Sequence, residues 1–292
     1  MRIPELKGCG TALVTPFLED GDVDYEAYGA LVERQVAGGV DFLVPLGTTA
    51  ETPTLDPMER VALLDITHDC APGLPLLVGC GTNSVPGTLA NMNLLEGTAA
   101  DAWLLVVPFY NKPTQEGMYQ YYKAIAAEST KPIVMYNVPG RTGVNMLPET
   151  AIRIAREVPG IIGIKEASGK PEQARQIVAE APSDFIVLSG DDDLTLTMMK
   201  DGARGVISVA SNVLPDKVSD MTRAALDGRL EEAGALNEAL KPLYKACFVE
   251  SNPIPAKAAL SLMGLCSDLM RLPLVPASES TRELMKSVLA AF

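Results

Sequence analysis

Short apolar runs alternate with longer amphipathic stretches along most of this chain. From residue 8 to about residue 228, each apolar run ends in Gly, Pro, Ser, Thr or Asn, and about a dozen residues of mixed character follow it. Runs that are too short for a helix and stop at such residues are typical of buried strands. The pattern predicts eight strands, at residues 10–16, 42–47, 74–79, 102–107, 133–137, 161–166, 185–189 and 205–208.

The stretches between these runs have the spacing of amphipathic helices. Pro57 and Pro148 stand at plausible first turns, and Ser84 is a candidate N-cap. The predicted helices cover residues 25–37, 57–70, 85–97, 115–128, 148–156, 171–181, 194–200 and 215–226. Strands that alternate with helices form parallel sheets, either closed as a (β/α)8 barrel or open and doubly wound.

The barrel is the favoured closure. A dinucleotide-binding open sheet would carry G-x-G-x-x-G, but Leu13 stands where the third glycine would follow Gly8 and Gly10. After residue 228 the alternation stops, and residues 229–250, 255–265 and 278–290 read as helices without strands between them. The fold prediction is therefore an α/β protein, a (β/α)8 TIM barrel over residues 1–228 with a C-terminal helical appendage over residues 229–292.

Composition narrows the possible partners. The 292 residues contain 24 Lys+Arg against 37 Asp+Glu, a net charge of −13 that argues against nucleic acid or an anionic membrane as a partner. The N-terminus lacks an apolar signal core and no stretch approaches the ~18 apolar residues of a membrane span, so a cytoplasmic protein is expected. The five cysteines form no C-x-x-C pair and are expected to be free thiols. His68 is the only histidine, which disfavours a zinc site or a Ser-His-Asp triad.

Lys165 lies near the end of the predicted sixth strand. Strict alternation places Gly163 and Lys165 on one face, with Ile162 and Ile164 on the other, so Gly163 would leave room for the lysine. One interpretation is a lysine that simply reaches solvent from a strand end. The other is a desolvated amine that acts as a nucleophile toward a carbonyl.

Polar side chains gather at the carboxyl ends of the predicted strands, where the active sites of such barrels lie. No carboxylate pair or cluster of metal ligands occurs there, which disfavours glycosidase and metallohydrolase chemistry. The acidic run at residues 191–193 fails the spacing of a calcium loop and is interpreted as a cap of the next helix. The strand ends carry Thr48 and Thr49, Tyr110, Tyr136, Arg141, Lys165 and Gly190.

This set of groups suits Schiff-base chemistry. A lysine with an ordinary pKa of ~10.4 has only about 0.04% free amine at pH 7, so a reacting lysine needs surroundings that lower its pKa toward ~7–8. An apolar strand and a nearby Arg141 would act in that direction. Tyr136 could carry protons, and Arg141 could bind a carboxylate in a bidentate manner. Each residue alone also has a structural interpretation, and only their joint placement favours catalysis.

The motifs resemble those of the dihydrodipicolinate synthases, in the pyruvate-dependent class I aldolase superfamily that includes N-acetylneuraminate lyase. The resemblance spans residues 8–276 and is carried by the sequences GTTAE at 47–51, YNVPGRTG at 136–143, GIKEA at 163–167 and GVIS at 205–208. It implies a lyase that condenses pyruvate with L-aspartate 4-semialdehyde to 4-hydroxy-tetrahydrodipicolinate, in the diaminopimelate and lysine pathway. It implies no cofactor and no metal for turnover, and a homotetramer built from two tight dimers.

The resemblance also implies roles for the site residues. Lys165 would form the Schiff base, with Tyr136 and Thr49 as a proton relay that Tyr110 enters from the neighbouring subunit. Thr48 and Thr49 would bind the pyruvate carboxylate, and Arg141 would bind the semialdehyde carboxylate. The backbone near Gly190 and Ile207 would line the pocket.

The sequence departs from the family at two places. Ala50 stands where the family usually has Gly, which could crowd the turn after Thr49. Lysine-inhibited members bind lysine through a tyrosine and histidines, where this chain has Phe109, Pro57 and Arg60, so feedback inhibition by lysine is expected to be weak or absent.

Two alternatives to the synthase stay open at this point. The first is another aldolase of the superfamily, an N-acetylneuraminate lyase or a 2-keto-3-deoxy sugar acid aldolase. The second is a non-catalytic paralogue that binds a keto acid.

Overall fold

The computed structural model describes residues 4–292 and contains one eight-stranded parallel sheet. The strand order is β2-β1-β8-β7-β6-β5-β4-β3, and a parallel bridge between Leu43 and Leu76 joins the two edges. The predicted barrel is confirmed. Its strands are β1 (Gly8–Ala12), β2 (Phe42–Val44), β3 (Leu77–Gly79), β4 (Ala102–Val106), β5 (Ile133–Asn137), β6 (Ile161–Glu166), β7 (Ile186–Ser189) and β8 (Gly205–Ser208).

Helices connect consecutive strands, as the pattern predicts, and three more follow the barrel. The α-helices are α1 (Tyr25–Ala37), α2 (Pro57–Cys70), α3 (Val85–Leu95), α4 (Gln115–Glu128), α5 (Pro139–Thr142), α6 (Pro148–Glu157), α7 (Pro171–Glu180), α8 (Thr195–Lys200), α9 (Pro215–Leu226), α10 (Leu230–Ala246), α11 (Ile254–Leu262) and α12 (Glu279–Leu289). The short helix α5 was not expected, because its four residues are too few to show a periodic pattern.

Local signals explain several boundaries. The Ser84 hydroxyl accepts a hydrogen bond from the Gly87 amide at 3.2 Å, which confirms the predicted N-cap of α3. Strand β1 begins at Gly8, two residues before its predicted start, because its backbone approaches β8 very closely. A Cβ on Gly205 would lie 2.0 Å from the Gly8 carbonyl oxygen, so the pairing needs glycine there.

The barrel has two apolar layers. The inner layer is formed by side chains of the strands themselves, among them Phe42, Val134, Tyr136, Leu188 and Ile207. The outer layer lies between the strands and the surrounding helices and is much larger. Parallel strands buried on both faces account for the continuous apolar runs in the sequence.

Strand β6 does not keep strict alternation. Ile162 lies in the inner layer, whereas Ile161 and Ile164 both lie in the outer one. The cause is a bulge, since Ile133 pairs with Ile161 but Val134 pairs with Gly163. The expectation that Ile162 and Ile164 share a face is therefore wrong, while Lys165 still turns toward the inside of the barrel.

The C-terminal helices pack on the barrel and on each other. Helix α10 lies against α9, and α12 lies against α10 and α11. No helix within residues 4–292 is long and apolar enough to cross a membrane. All five cysteines are free, and Cys9, Cys80 and Cys247 are buried, in agreement with the expected thiols.

Candidate active site

Lys165 and Tyr136 form the centre of the candidate site. They are register partners on the neighbouring strands β6 and β5. Only 6% of Lys165 and 8% of Tyr136 are exposed, and the Lys165 Nζ lies 4.4 Å from the centroid of the Tyr136 ring. Within residues 4–292, no carboxylate oxygen lies within 4.0 Å of that nitrogen. The amine is thus buried beside a phenol and is not part of an ion pair.

Gly190 provides the space for the lysine side chain. It follows β7, and a Cβ at this position would lie 2.8 Å from the Lys165 Cε. The expected source of this space was Gly163, but a Cβ there would instead meet the Ile186 carbonyl oxygen at 2.5 Å. Gly163 is instead packed tightly against Ile186, its register partner on β7. Ile207 on β8 is fully buried in the same inner layer as Tyr136.

Thr48 and Thr49 lie in a short 3₁₀ helix, Thr48–Ala50, just after β2. Thr49 is buried and its Oγ1 accepts a hydrogen bond from the Asn252 Nδ2 at 2.9 Å, whereas Thr48 is exposed. Left-handed backbone occurs at Leu46 and at Glu51, not at Ala50. The buried Ala50 methyl is therefore accommodated, because its position does not require the freedom of glycine.

Glu51 ties this turn to the C-terminal region. Its carboxylate accepts hydrogen bonds from the Lys257 Nζ at 2.9 Å and from the Arg271 amide at 3.2 Å. The side chains of both Glu51 and Lys257 are buried. Burial lowers the pKa of Lys257, and the Glu51 charge opposes that change. Arg271 in turn makes a two-pronged ion pair with Glu59.

Arg141 lies in α5, which directly follows β5. The guanidinium is exposed, and its Nη2 donates to the Asn252 carbonyl oxygen at 3.1 Å. Asn252 therefore contacts both Thr49 and Arg141, through its side chain and its backbone respectively. The structure brings these two predicted residues together through a third residue that the sequence did not single out.

Tyr110 is placed differently from the other predicted site residues. It follows β4 with left-handed backbone, at a φ of 73°, and 88% of the residue is exposed. Its amide donates to the Thr142 carbonyl oxygen at 3.4 Å, and its side chain lies at the protein surface. Within one chain, Tyr110 does not join the buried pair of Lys165 and Tyr136.

A buried polar network supports the strands from outside the barrel. The Glu166 carboxylate accepts hydrogen bonds from the Asn137 Nδ2 at 3.0 Å and from the Ser168 amide at 2.9 Å. Burial raises the pKa of Glu166, and these hydrogen bonds offset part of that change. Asn137 and Glu166 are the residues next to Tyr136 and Lys165, so the network fixes the ends of both strands.

The acidic run at residues 191–193 does not cap α8, contrary to the expectation. Asp191 accepts a hydrogen bond from the Gly169 amide at 3.2 Å, and Asp192 accepts bonds from the amides of Val209 and Ala210 at 3.0 and 3.1 Å. Burial raises the pKa of Asp192. Asp191 thus joins the end of β7 to the segment after β6, and Asp192 joins it to the segment after β8. Residues 4–292 contain no cluster of three ligands that could hold a metal ion.

The positions linked to lysine inhibition are occupied by other contacts. Arg60 donates to the carbonyl oxygens of Leu55 and Thr52 at 3.0 and 3.2 Å. Pro57 is the first residue of α2, and Phe109 is partly exposed beside Tyr110.

Asn252, Lys257 and Arg271 were missed by the sequence analysis. They lie in or beside the C-terminal helices, about two hundred residues after the turn that they contact. The one signal in the sequence is that Asn252-Pro253 lies between two apolar helices and that Lys257 lies within the second of them. That signal does not show which strand end they reach.

Comparisons with known proteins show the family of this chain. Residues 5–292 match the model of the dihydrodipicolinate synthetase family. A 4-hydroxy-tetrahydrodipicolinate synthase from Thermotoga neapolitana is 51% identical over 97% of this chain and 97% of its own length.

Solved structures show the same relationship. The dihydrodipicolinate synthase of Thermotoga maritima superposes with a TM-score of 0.95 at 49% identity, covering 97% of each chain. The enzyme of Acinetobacter baumannii, solved in complex with pyruvate, gives a TM-score of 0.95 at 40% identity, covering 98% of this chain and 99% of that one.

Proposed function

This chain belongs to the dihydrodipicolinate synthetase family, and from that premise we propose that it condenses pyruvate with L-aspartate 4-semialdehyde to give 4-hydroxy-tetrahydrodipicolinate. The observation that carries the proposal is the buried Lys165, whose amine lies against the Tyr136 ring and forms no ion pair with any residue from 4 to 292. The relatives at about half identity are named as this synthase and not as either alternative.

The reaction begins at the Lys165 amine. Its lone pair attacks C2 of pyruvate, and loss of water from the carbinolamine gives the Schiff base. Removal of a C3 proton gives an enamine, which forms the new carbon–carbon bond with the aldehyde carbon of the semialdehyde. The amino group of that substrate then displaces Lys165 from C2 and closes the ring.

Tyr136 is suited to the proton transfers, because its phenol belongs to the residue directly beside the amine. Thr49 completes the relay and, with Thr48, binds the pyruvate carboxylate. Gly190 and Ile207 line the pocket by leaving space and by excluding water respectively. Arg141, at the exposed rim, binds the carboxylate of the semialdehyde.

Tyr110 acts in the site of a neighbouring subunit in this proposal. Its 88% exposure and left-handed backbone support a side chain that is presented outward. The assembly is then at least a dimer, and we expect the homotetramer that is built from two such dimers. Free cysteines support a reducing compartment such as the cytoplasm.

Feedback inhibition by lysine is weak or absent in this proposal, since Arg60 is engaged by backbone carbonyls and Phe109 has no hydroxyl. An initial-rate assay with added lysine tests this. Inhibition at low millimolar lysine or below would contradict it.

Borohydride trapping tests the proposed function directly. Reduction in the presence of pyruvate should attach one pyruvate-derived group to the peptide that contains Lys165, as read by mass analysis. The peptide with Lys257 provides the internal control, because that lysine is also buried but ion-paired. Lys165→Ala should abolish both trapping and turnover. An unmodified Lys165 peptide in an otherwise folded protein would refute the proposal.

A further inference from the structure

Asn252 contacts two proposed site residues from outside the barrel. It lies between α10 and α11 and is only 6% exposed. Its Nδ2 donates to the Thr49 Oγ1 at 2.9 Å, and its carbonyl oxygen accepts from the Arg141 Nη2 at 3.1 Å. One residue of the C-terminal region thus joins the ends of β2 and β5.

The position of Asn252 is fixed by a second attachment to the same turn. Lys257, in the following helix α11, forms its buried ion pair with Glu51 at 2.9 Å. Glu51 is two residues after Thr49. The turn and the start of α11 are therefore held together at two points, so the Asn252 amide has little freedom to move away from Thr49.

The direction of the hydrogen bond to Thr49 has a chemical consequence. A hydroxyl has one proton to donate, and the Asn252 amide donates to the Thr49 oxygen without using that proton. A substrate carboxylate can only accept hydrogen bonds. Thr49 can therefore bind pyruvate through its hydroxyl only if its other partner is a donor.

We infer that Asn252 is a positioning residue that makes Thr49 a hydrogen-bond donor toward the pyruvate carboxylate. The inference rests on the proposed function. The opposite orientation of the amide would place its oxygen on Thr49 and take up the hydroxyl proton, which would leave Thr49 unable to bind a carboxylate. In the structure the Asn252 Oδ1 is buried and has no hydrogen-bond partner among the described residues.

Two substitutions of Asn252 test the direction of this bond. Asn252→Ala removes the donor, and Asn252→Asp replaces it with an acceptor at neutral pH. We expect kcat/KM for pyruvate to fall about tenfold in Asn252→Ala and at least as much in Asn252→Asp. The KM for the semialdehyde should change less than about twofold, because the backbone contact with Arg141 survives both changes. Retention of wild-type kcat/KM by Asn252→Asp would overturn the inference.

A double-mutant cycle separates positioning from a general structural role. Thr49→Val removes the hydroxyl, so Asn252→Ala should cause no further loss of kcat/KM for pyruvate in that background. An equal loss in both backgrounds would overturn the inference. Thermal unfolding of each variant shows that it is folded. Turnover and borohydride trapping of the wild-type protein test the proposed function. If the wild type is active but all Asn252 variants match it, the positioning role of Asn252 is wrong and the proposed function stands.

Discussion

Two lysines are buried within residues 4–292, and their nitrogens have different hydrogen-bond partners. The Nζ of Lys165 and the Nζ of Lys257 each lie 4.4 Å from the centroid of an aromatic ring, Tyr136 and Phe17 respectively. Lys257 also has a carboxylate, Glu51, at 2.9 Å, and it donates to the Leu269 carbonyl oxygen. Lys165 has no such ion pair among the described residues.

The difference lies in the partners of the two nitrogens and not in their burial. The Lys257 nitrogen donates both of these hydrogen bonds. The bond to the Glu51 carboxylate therefore stabilises the charged ammonium form. Lys257 is therefore a structural cation that holds the turn of Thr49. The Lys165 nitrogen forms no ion pair within residues 4–292, and in the proposed reaction it is the atom that attacks pyruvate.

The largest expected effect is on the free energy of unfolding and concerns Lys257. Lys257→Met leaves Glu51 buried without its counter-ion, which should lower the free energy of unfolding by ~3–5 kcal/mol. Chemical denaturation measures this change. Adding Glu51→Gln should recover much of the loss. The matched control is Lys241→Met, which removes an exposed ion pair with Glu238 and should cost less than ~1 kcal/mol. Equal losses for the two single variants would contradict the structural role.

Tyr136→Phe tests what the hydroxyl beside Lys165 contributes to turnover. The substitution keeps the ring beside the amine, as Phe17 is beside Lys257, and removes only the hydroxyl. We expect kcat to fall by ~10²-fold or more if the phenol carries protons, with little change in thermal stability. Steady-state kinetics measure this. Wild-type turnover would show that the ring acts only by packing.

Tyr110→Phe tests whether turnover at Lys165 requires Tyr110 of a second subunit. We expect a fall in kcat of about tenfold or more. Co-refolding Tyr110→Phe with Lys165→Ala should give hybrid dimers in which one site has both an intact lysine and an intact Tyr110. The mixture should then be more active than the mean of the separate variants. Activity no higher than that mean would place Tyr110 outside the partner's site.

The smallest expected effect concerns Asp192, a buried carboxylate that forms no ion pair with Lys165. Burial raises the pKa of Asp192 above its unfolded value, so the folded state favours the protonated form. Its contribution to stability is therefore complete at acid pH and is lost as the pH rises through the folded pKa. The stability difference between wild type and Asp192→Asn should shift against the wild type as pH increases. A pH-independent difference in unfolding free energy would contradict this.

Much of the barrel could be predicted because its signals are local. The bounds of β5, β6, β8 and of helices such as α1 and α4 follow from apolar periodicity and from turn residues beside them in the chain. Placing Lys165 and Tyr136 together needed only the rule that parallel strands end on the same side.

The remaining features depend on contacts between distant parts of the chain. The bulge in β6 arises from pairing with β5, and the space for the Lys165 side chain is left by Gly190 after β7 and not by Gly163. The Asp192 carboxylate accepts hydrogen bonds from the amides of residues 209 and 210, just after β8, and does not cap the helix that follows it in the chain. The contacts of Asn252 and Lys257 with the turn at Thr49 have no counterpart in local sequence.

The attachment of Glu51 to Lys257 and Arg271 also orders events during synthesis. These partners are translated 206 and 220 residues after Glu51, whereas the barrel strands that carry Tyr136 and Lys165 emerge from the ribosome earlier. A chain that ends before α11 would keep Tyr136 and Lys165 on their strands, but it would leave the Glu51 carboxylate without the Lys257 counter-ion.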